Sequence, residues 1–408
     1  MNAEYGRGTG SPSIVILGGG IGGLAAAAFL HQAGLPCTVY EQAAQLREIG
    51  AGLVVAPNGA RLLRQLGVMG AFEERAVRLD VGWEFRRWQD GSVLSAEDLA
   101  TKCRPLYGEH TYTAHRGDLL EVLRSAVPAE AIRLGRRVIE VRLTTGRPVL
   151  RFSDGEIVTP DVLIGADGIH SIVRGAVGES VPPMYSGLCA FRGLVPAGRA
   201  PAFALRPAQT LWLGPAHHLV HYPIAGGRLV NLVAFAPAGD YTVESWSATA
   251  TMEEFLAEFD GWDPRLTDLI RAGRVPGRWA LLDRAPLKAW SRGPVTLLGD
   301  AAHPMFPFYG QGAAQAIEDA AILARCLAAA LRSQPADPDA ATRALRRYAE
   351  LRISRTTRLQ EVSHARALVN HLPDGPDQEA RDASFAQADP LIANGWIYSY
   401  DPESIEVS

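Results

Sequence analysis

The sequence predicts an α/β fold: a parallel sheet interrupted by an inserted antiparallel one and followed by a helical C-terminal segment. Three observations carry this. "SIVILGGGIGGLAAAAFLHQAG" passes from an apolar strand, Ile14 to Leu17, through clustered glycines into an alanine-rich helix that ends at Gly34. Near residue 300, "GPVTLLGDAAHPMFPFYGQGAAQAIEDA" repeats that order, with an apolar strand from Val295 to Leu298, an acid at Asp300, and Gly310 and Gly312 opening a helix. Strands that feed helices in this way belong to parallel sheets. From about Val181, by contrast, Pro, Gly and aromatic residues become frequent, and stretches such as "LVHYPI" and "LVNLVAF" read as antiparallel strands.

A chain of 408 residues exceeds what one hydrophobic core usually serves, so two domains are expected. Hydrophobic residues at 47% and charged residues at 21% suit a globular enzyme. A net charge of -4 offers no basic footprint, which argues against nucleic acid as a partner. Cys37, Cys103, Cys189 and Cys326 are scattered without a CxxC pair, so they read as reduced thiols of a cytoplasmic protein and not as a metal site. Residues 1 to 12 are polar and glycine-rich and lack the pattern of a signal peptide. The most apolar run, Ile21 to Leu30, is too short to cross a bilayer, so no membrane association is expected.

The first motif has a defined chemistry. Gly18, Gly20 and Gly23, with Gly22 among them, permit a tight turn, close approach of backbone to a pyrophosphate, and close packing of helix on strand. The helix N-terminus adds free N–H groups and the positive end of a dipole. "PCTVYEQ" then supplies a second strand whose acid, Glu41, lies 18 positions after Gly23, as a ribose-binding acid would. A dinucleotide is implied, and the motif alone does not separate NAD from FAD.

Elsewhere, "TAHRGDLLEVLRSAV" reads as an extended stretch leading into a short helix that carries Arg116. "RRVIEVRL" and "PVLRFSDGEIV" read as strands, the second turning at Asp154–Gly155, and "DVLIGADGIHSIVR" as a buried strand that ends at Asp167–Gly168. A helix begins near Thr251, another runs from Gly312 to about Ser333, and an arginine-rich one spans about Ala341 to Asn370 with its charges forming a solvated face.

Taken together, GGGIGG with Glu41, GADG with Arg174, and GDAAHP followed by GQGAAQAIEDA resemble the flavin-dependent aromatic hydroxylases of the p-hydroxybenzoate hydroxylase fold. Within them the chain is most similar to the salicylate hydroxylase and 3-hydroxybenzoate 6-hydroxylase branch, from Ser13 to about Asp401 and including "WIYSYD". The resemblance implies a Rossmann-like FAD-binding domain (11–80, 104–180 and 274–335), a substrate-binding domain (81–103 and 181–273) and a C-terminal helical region (336–408). It implies tightly but non-covalently held FAD, NAD(P)H that docks transiently without a Rossmann site of its own, and O2 that adds at the flavin C4a before one oxygen reaches an aromatic ring. Asp300 would hold a ribityl hydroxyl, Gly312 and Ala313 would direct N–H groups at the flavin pyrimidine, and Glu41 would bind the adenosine ribose. Arg116, Asp167 and Val54 would line the cofactor, and Pro307 would place its carbonyl near the oxygen-carrying face of the ring.

The substrate site should lie in "GPAHHLVHYPI". On an extended strand His218, Val220 and Tyr222 share one face, and His217, Leu219 and His221 the other. Periodicity does not choose between them. The 3-hydroxybenzoate hydroxylases carry a catalytic histidine and a substrate-binding tyrosine four apart, and on that resemblance His218 is the base and Tyr222 the substrate ligand. A small aromatic acid is the implied substrate. Pro307 replaces a glutamine of the 3-hydroxybenzoate branch and Val54 a histidine of the hydroxynicotinate hydroxylases, so neither of those substrates is directly implied. Phe306, Phe308 and Tyr309 are candidates for an aromatic wall, or for core. Arg192 is a candidate partner for a substrate carboxylate, against a structural salt bridge, and His303 is expected to orient the cofactor loop. Rival readings are a flavoprotein oxidase or epoxidase that spares aromatic rings, a NAD-dependent dehydrogenase, and a flavin-binding sensor. Oligomeric state is open, a homodimer being one option.

Overall fold

The computed structural model describes residues 12–46, 52–144, 146–178, 182–239, 249–274, 276–334 and 336–407. Among these, six strands form one sheet in the order Ser291–Arg292, Val295–Leu297, Val162–Gly165, Ile14–Leu17, Cys37–Tyr40, Ile132–Arg133. The pairs from Val295–Leu297 to Ile132–Arg133 are all parallel. Their side chains are almost uniformly apolar because helices cover the sheet, and the central strands are buried throughout. Leu17, Gly165 and Leu297 stand side by side in register. The three segments that follow, carrying Gly18, Asp167 and Asp300, therefore leave the sheet at one edge. Chain order reverses there too, which is where open α/β sheets form their clefts.

Seven strands form the second sheet, in the order Gly277–Asp283, Met184–Pro196, Leu229–Pro237, His217–Ile224, Ala208–Gly214, Val81–Arg87, Val93–Asp98. It is antiparallel except where Ala208–Gly214 runs parallel to Val81–Arg87. The boundary expected at Gly273 falls short of this sheet. Gly277–Asp283 pairs along Met184–Pro196, with Trp279 opposite Ala190 and Arg278 opposite Phe191. The apolar run in "RWALLD" is the signal for that strand, and it stands close to "GPVTLLGD", which belongs to the parallel sheet. Two three-stranded sheets complete the set among the described residues, one of them the hairpin around Asp154–Gly155 with its neighbour.

The helix Gly312–Ser333 packs between the glycine-rich helix Ile21–Gln32 and the long helix Ala340–Asn370. Here one expectation needs correcting. The arginines of Ala340–Asn370 do not all face solvent: Arg352 is fully buried, and the Arg355 side chain nearly so. Glu318 and Asp319, adjacent acids on the Gly312 helix, are buried opposite them. Arg352 Nε donates to Asp319 Oδ1 at 2.7 Å and Nη1 to Glu318 Oε2 at 2.6 Å, while Arg355 donates to both oxygens of Glu318. Burial alone would push both carboxyls up. Arg355 and Arg352 outweigh it and hold Glu318 below its usual range, and His303 with Arg352 holds Asp319 at about 2. Buried ions of this kind survive only when every charge is matched, because each costs several kcal/mol to desolvate.

Among the described residues no helix is long and apolar enough to cross a membrane. None of their His, Cys, Asp and Glu side chains gather in groups of three or more suited to a metal ion.

Candidate active site

A cavity of about 850 Å³ opens between the carboxyl edge of the parallel sheet and the inner face of the antiparallel one. That size lies within the ~300–1,000 Å³ of small-molecule sites. Gly18, Gly20, Gly22, Glu41, Val54, Arg116, Asp167, His218, Tyr222, Asp300, Pro307, Gly312 and Ala313 all line it, although they come from widely separated parts of the chain. Gly23, the remaining glycine of that motif, does not. It packs under the turn, where an added Cβ would sit 1.9 Å from Gly18 O, so its part is to let helix and strand touch. Gly18 has φ +108, and a Cβ there would meet Ala166 O at 2.3 Å, so the turn depends on both glycines.

Two helix N-termini face this space without internal partners. Gly20 and Gln311 cap the helices Ile21–Gln32 and Gly312–Ser333, neither cap has a side-chain hydrogen bond, and neither first turn holds an acid. Several other helices here are closed by Asp98, His115, Thr251, Asp263 or Asp389. Each open N-terminus presents unsatisfied N–H groups and roughly half a positive charge. The first suits a pyrophosphate and the second an anionic ring system. Glu41 closes the far end: its carboxylate accepts from Gly19 N and Ala43 N, both at 2.7 Å, which fixes it while leaving lone pairs for hydroxyl donors.

Asp167 Oδ2 accepts from Ile172 N at 2.8 Å and Val173 N at 3.3 Å, but Oδ1 is buried with no partner among the described residues. Burial pushes this carboxyl up. An orphaned acceptor beside the open helix ends is what a ligand rich in hydroxyl and amide donors would satisfy. Asp300, on a short turn after Val295–Leu297, is exposed. Its loop is fixed from behind. Asp319 Oδ2 accepts from Gly299 N at 3.0 Å and from His303 Nε2 at 2.5 Å, His303 stacks on Trp290, and Gln360 donates to Pro304 O at 2.8 Å. His303 therefore stays out of the cavity and holds the loop. Buried Arg174 donates to Ala301 O and Ala302 O, tying the turn after Asp167 to the turn after Asp300.

On the opposite wall the strand His217–Ile224 resolves what periodicity left open. His218, Val220 and Tyr222 line the cavity. His217 instead bonds Glu258 at 2.9 Å, and His221 accepts from Trp212 Nε1 at 3.2 Å behind the sheet. His218 is 1% exposed and stacks on Phe235, with centroids 4.5 Å apart and 20° between the planes. Burial, with His371 and His217 adding to it, lowers its pKa well below the ordinary histidine value, so it stands as a neutral base. Tyr222 is buried and its pKa is raised by that burial, so it remains a phenol able to donate.

Phe306 and Phe308 line the cavity with Pro307, whereas Tyr309 does not. Its ring lies 5.3 Å from Trp83, and Arg366 donates to its hydroxyl, outside this wall. Arg192 lines the cavity with its guanidinium 4.1 Å above the Trp279 ring. Gln209 and Trp279 also face the space and were not singled out from sequence. Nor were Glu318, Asp319 and Arg352, although two adjacent acids in an otherwise apolar helix, "AAQAIEDAAIL", were a usable signal.

Comparison with known proteins agrees with this geometry. A family model described as an FAD binding domain matches residues 12–362. A 3-amino-4-hydroxybenzoate 2-monooxygenase of Streptomyces platensis is 43% identical over 391 residues, covering 96% of each chain. A 3-hydroxybenzoate 6-hydroxylase of Aquipseudomonas alcaligenes is 35% identical, covering 97% of this chain and 98% of its own. A solved salicylate hydroxylase substrate complex superposes with a TM-score of 0.79 at 26% identity, covering 97% of both chains.

Proposed function

The chain belongs to the FAD binding domain family and is an FAD-dependent aromatic monooxygenase, and within that frame we propose that its substrate is an amino- or hydroxy-substituted benzoate whose ring proton donor meets His218. One observation carries the reading. A buried, neutral imidazole and a buried tyrosine, four residues apart on one strand, face the same cavity as two open helix N-termini. FAD fits that cavity. Gly18, Gly20 and Gly22 would receive its pyrophosphate, Glu41 its adenosine ribose, Asp300 its ribityl chain, and Gly312 and Ala313 its pyrimidine. Arg116, Val54 and Asp167 would line it. Bound there, FAD would supply the redox chemistry that couples NAD(P)H oxidation to activation of O2.

The protein's own residues set up the other reactant. Arg192 offers a cation to the carboxylate, Tyr222 a hydroxyl to a ring substituent, and Phe306, Pro307 and Phe308 a wall that excludes water. Electron donation from a ring O–H or N–H to the carbon under attack leaves positive charge on that substituent, and His218 takes its proton as the charge develops. 3-Amino-4-hydroxybenzoate, the compound named for the Streptomyces platensis relative, is the first candidate. In that molecule position 2 lies next to the amino group and meta to the hydroxyl, so the proton that matters would be the amino one.

We further propose that the region around the parallel sheet carries FAD, the seven-stranded sheet covers the substrate, the protein acts in the cytoplasm, and it works alone or as a homodimer. The test is oxidation of NADH and NADPH by FAD-loaded protein, with and without 3-amino-4-hydroxybenzoate, 3-hydroxybenzoate and salicylate, with product mass recorded. Stimulated oxidation with one oxygen added supports the reading for that acid. Oxidation indifferent to every aromatic acid would favour an oxidase, and none at all a flavin-binding sensor.

A further inference from the structure

His218 does not stand alone. Its Nδ1 lies 2.6 Å from Nε2 of His371, which follows the last turn of the long helix Ala340–Asn370, and the two rings are 4.8 Å apart at 39°. The backbone fixes this meeting from both sides. His371 O accepts from Ala216 N at 3.1 Å, two residues before His218, and His371 N is bonded to Leu368 O. Phe308 closes the pair laterally, with centroids 5.2 Å from His218 and 6.2 Å from His371. His218 is sealed from water, whereas His371 is only half-buried.

We infer that His371 is a positioning and proton-relay residue for His218, carrying the charge of the base away from the cavity toward solvent. The inference rests on the reading of His218 as the base. Two imidazoles sharing one hydrogen bond need one proton between them. With Nδ1 occupied by His371, Nε2 is the nitrogen of His218 able to meet a ligand, so it must be bare, and Nδ1 must carry the proton donated to His371 Nε2. When the ring O–H or N–H bond breaks, its proton forms a new N–H at His218 Nε2. The Nδ1–H bond of His218 then breaks as the proton passes to His371 Nε2. His218 is neutral again in its other tautomer, and the positive charge sits on His371. Both transfers reverse when product leaves, restoring the starting tautomers.

The electrostatics explain why a second imidazole is useful. Imidazolium is badly solvated at His218, where burial holds the pKa well below its usual value. At His371 burial, and to a lesser extent His217, depress it to about 4, but that residue is only half-buried and helix-end carbonyls favour a cation there. Among the described residues, the further titratable group that acts on both rings is His217, on the opposite face of the strand, with its partner Glu258. Burial disfavours charge on His217, but Glu258 and the Pro215 carbonyl outweigh it and keep that ring protonated more readily than usual, which opposes charge on His371. The relay therefore passes charge briefly and does not store it.

A ligand-free measurement decides the tautomer: 15N spectra of FAD-loaded protein labelled in histidine, with His218→Gln and His371→Gln used for assignment. The inference predicts a protonated Nδ1 and a bare Nε2 on His218. A proton on Nε2 would overturn it, because that nitrogen could not then accept one. The functional measurement is turnover of 3-amino-4-hydroxybenzoate. His371→Gln keeps a hydrogen-bonding group but no relay, and should lower kcat about tenfold with KM within about twofold, partly rescued by imidazole in the buffer. A wild-type kcat and pH profile in His371→Gln, together with a crippled His218→Gln, would overturn the relay and leave the base standing. Full hydroxylation by His218→Gln would remove the base and the relay with it. Should the wild type not turn over this acid, the tautomer alone decides.

Discussion

At the parallel sheet, Gly18, Asp167 and Asp300 reach the cavity because three neighbouring strands end in register, and most of what they offer is backbone or backbone-held. At the antiparallel sheet, His218 and Tyr222 reach it as side chains of a single strand, and their surroundings come from other strands, from the Phe306–Phe308 loop and from a helix end more than 150 residues away. The first wall is built from short segments whose geometry is local. The second is assembled by tertiary packing. With FAD on the first wall and substrate on the second, as proposed, cofactor recognition can persist while substrate recognition drifts, since a changed side chain on the second wall leaves the turns of the first untouched.

The comparison predicts that the two walls fail differently. Loss of the base should give the largest effect. His218→Gln should lower product formation by roughly 10²–10⁴-fold, with flavin content and flavin reduction unchanged. Product yield per NAD(P)H consumed reads this directly, and unchanged coupling would place the base elsewhere. Next comes the support behind the first wall. Arg352→Ala takes the arginine from Asp319 Oδ1 and leaves Glu318 to Arg355, so two buried acids face one arginine, and it should cost about 3–5 kcal/mol of stability by denaturant unfolding. It should also loosen FAD, because Asp319 holds Gly299 N and His303. A variant as stable as the parent would mean that the network is not the brace described. Smaller again, Asp300→Ala should weaken FAD by roughly tenfold for a lost hydrogen bond to a charged group, with hydroxylation per bound flavin little changed. Equilibrium dialysis of the flavin would show it.

Acid should act through the second wall as well. His218, His221 and His371 are held neutral by burial, with His371 near 4 and His221 near 3, against an ordinary value of 6.5. An unfolded chain takes up protons at these sites from about pH 6.5 downward, while the folded one refuses them until much lower pH. Stability therefore falls as pH drops through that window. Asp319 adds to the loss only lower, between about 4 and 2, where its depressed carboxyl finally protonates. Thermal unfolding followed against pH should show decline already between 6.5 and 5, and His371→Gln should flatten part of it. A curve flat down to pH 5 would contradict the neutral, buried pair.

The same contrast governs how much could be read from the sequence. GGGIGG, GADG and GDAAHP encode strand ends and turns within a few residues each, so Gly18, Asp167 and Asp300 were identifiable. Their convergence follows from the strand order of a parallel sheet. His218 and Tyr222 needed more, since alternation supplied two faces and only resemblance chose between them. His371 was out of reach, because nothing local in "ALVNHLPDG" signals a partner on a distant strand. The burial of Arg352 escapes the sequence for a related reason. Arginines on a polar-looking helix ordinarily face water, and the acids that bury this one sit on another helix. Trp279 lies where the chain turns back toward the parallel sheet, and the pairing of its strand with Met184–Pro196 is a tertiary contact with no local signal of its partner.

The proposed function makes buried His218, on the antiparallel sheet, the base that serves oxygen transfer to an aromatic acid held against FAD. Its most direct test is turnover of 3-amino-4-hydroxybenzoate under 18O2 with NAD(P)H, comparing the FAD-loaded parent with His218→Gln. The account predicts one 18O atom in the parent's aromatic product and, in the variant, NAD(P)H consumed with little label in the ring. Equal labelling by both proteins would contradict it.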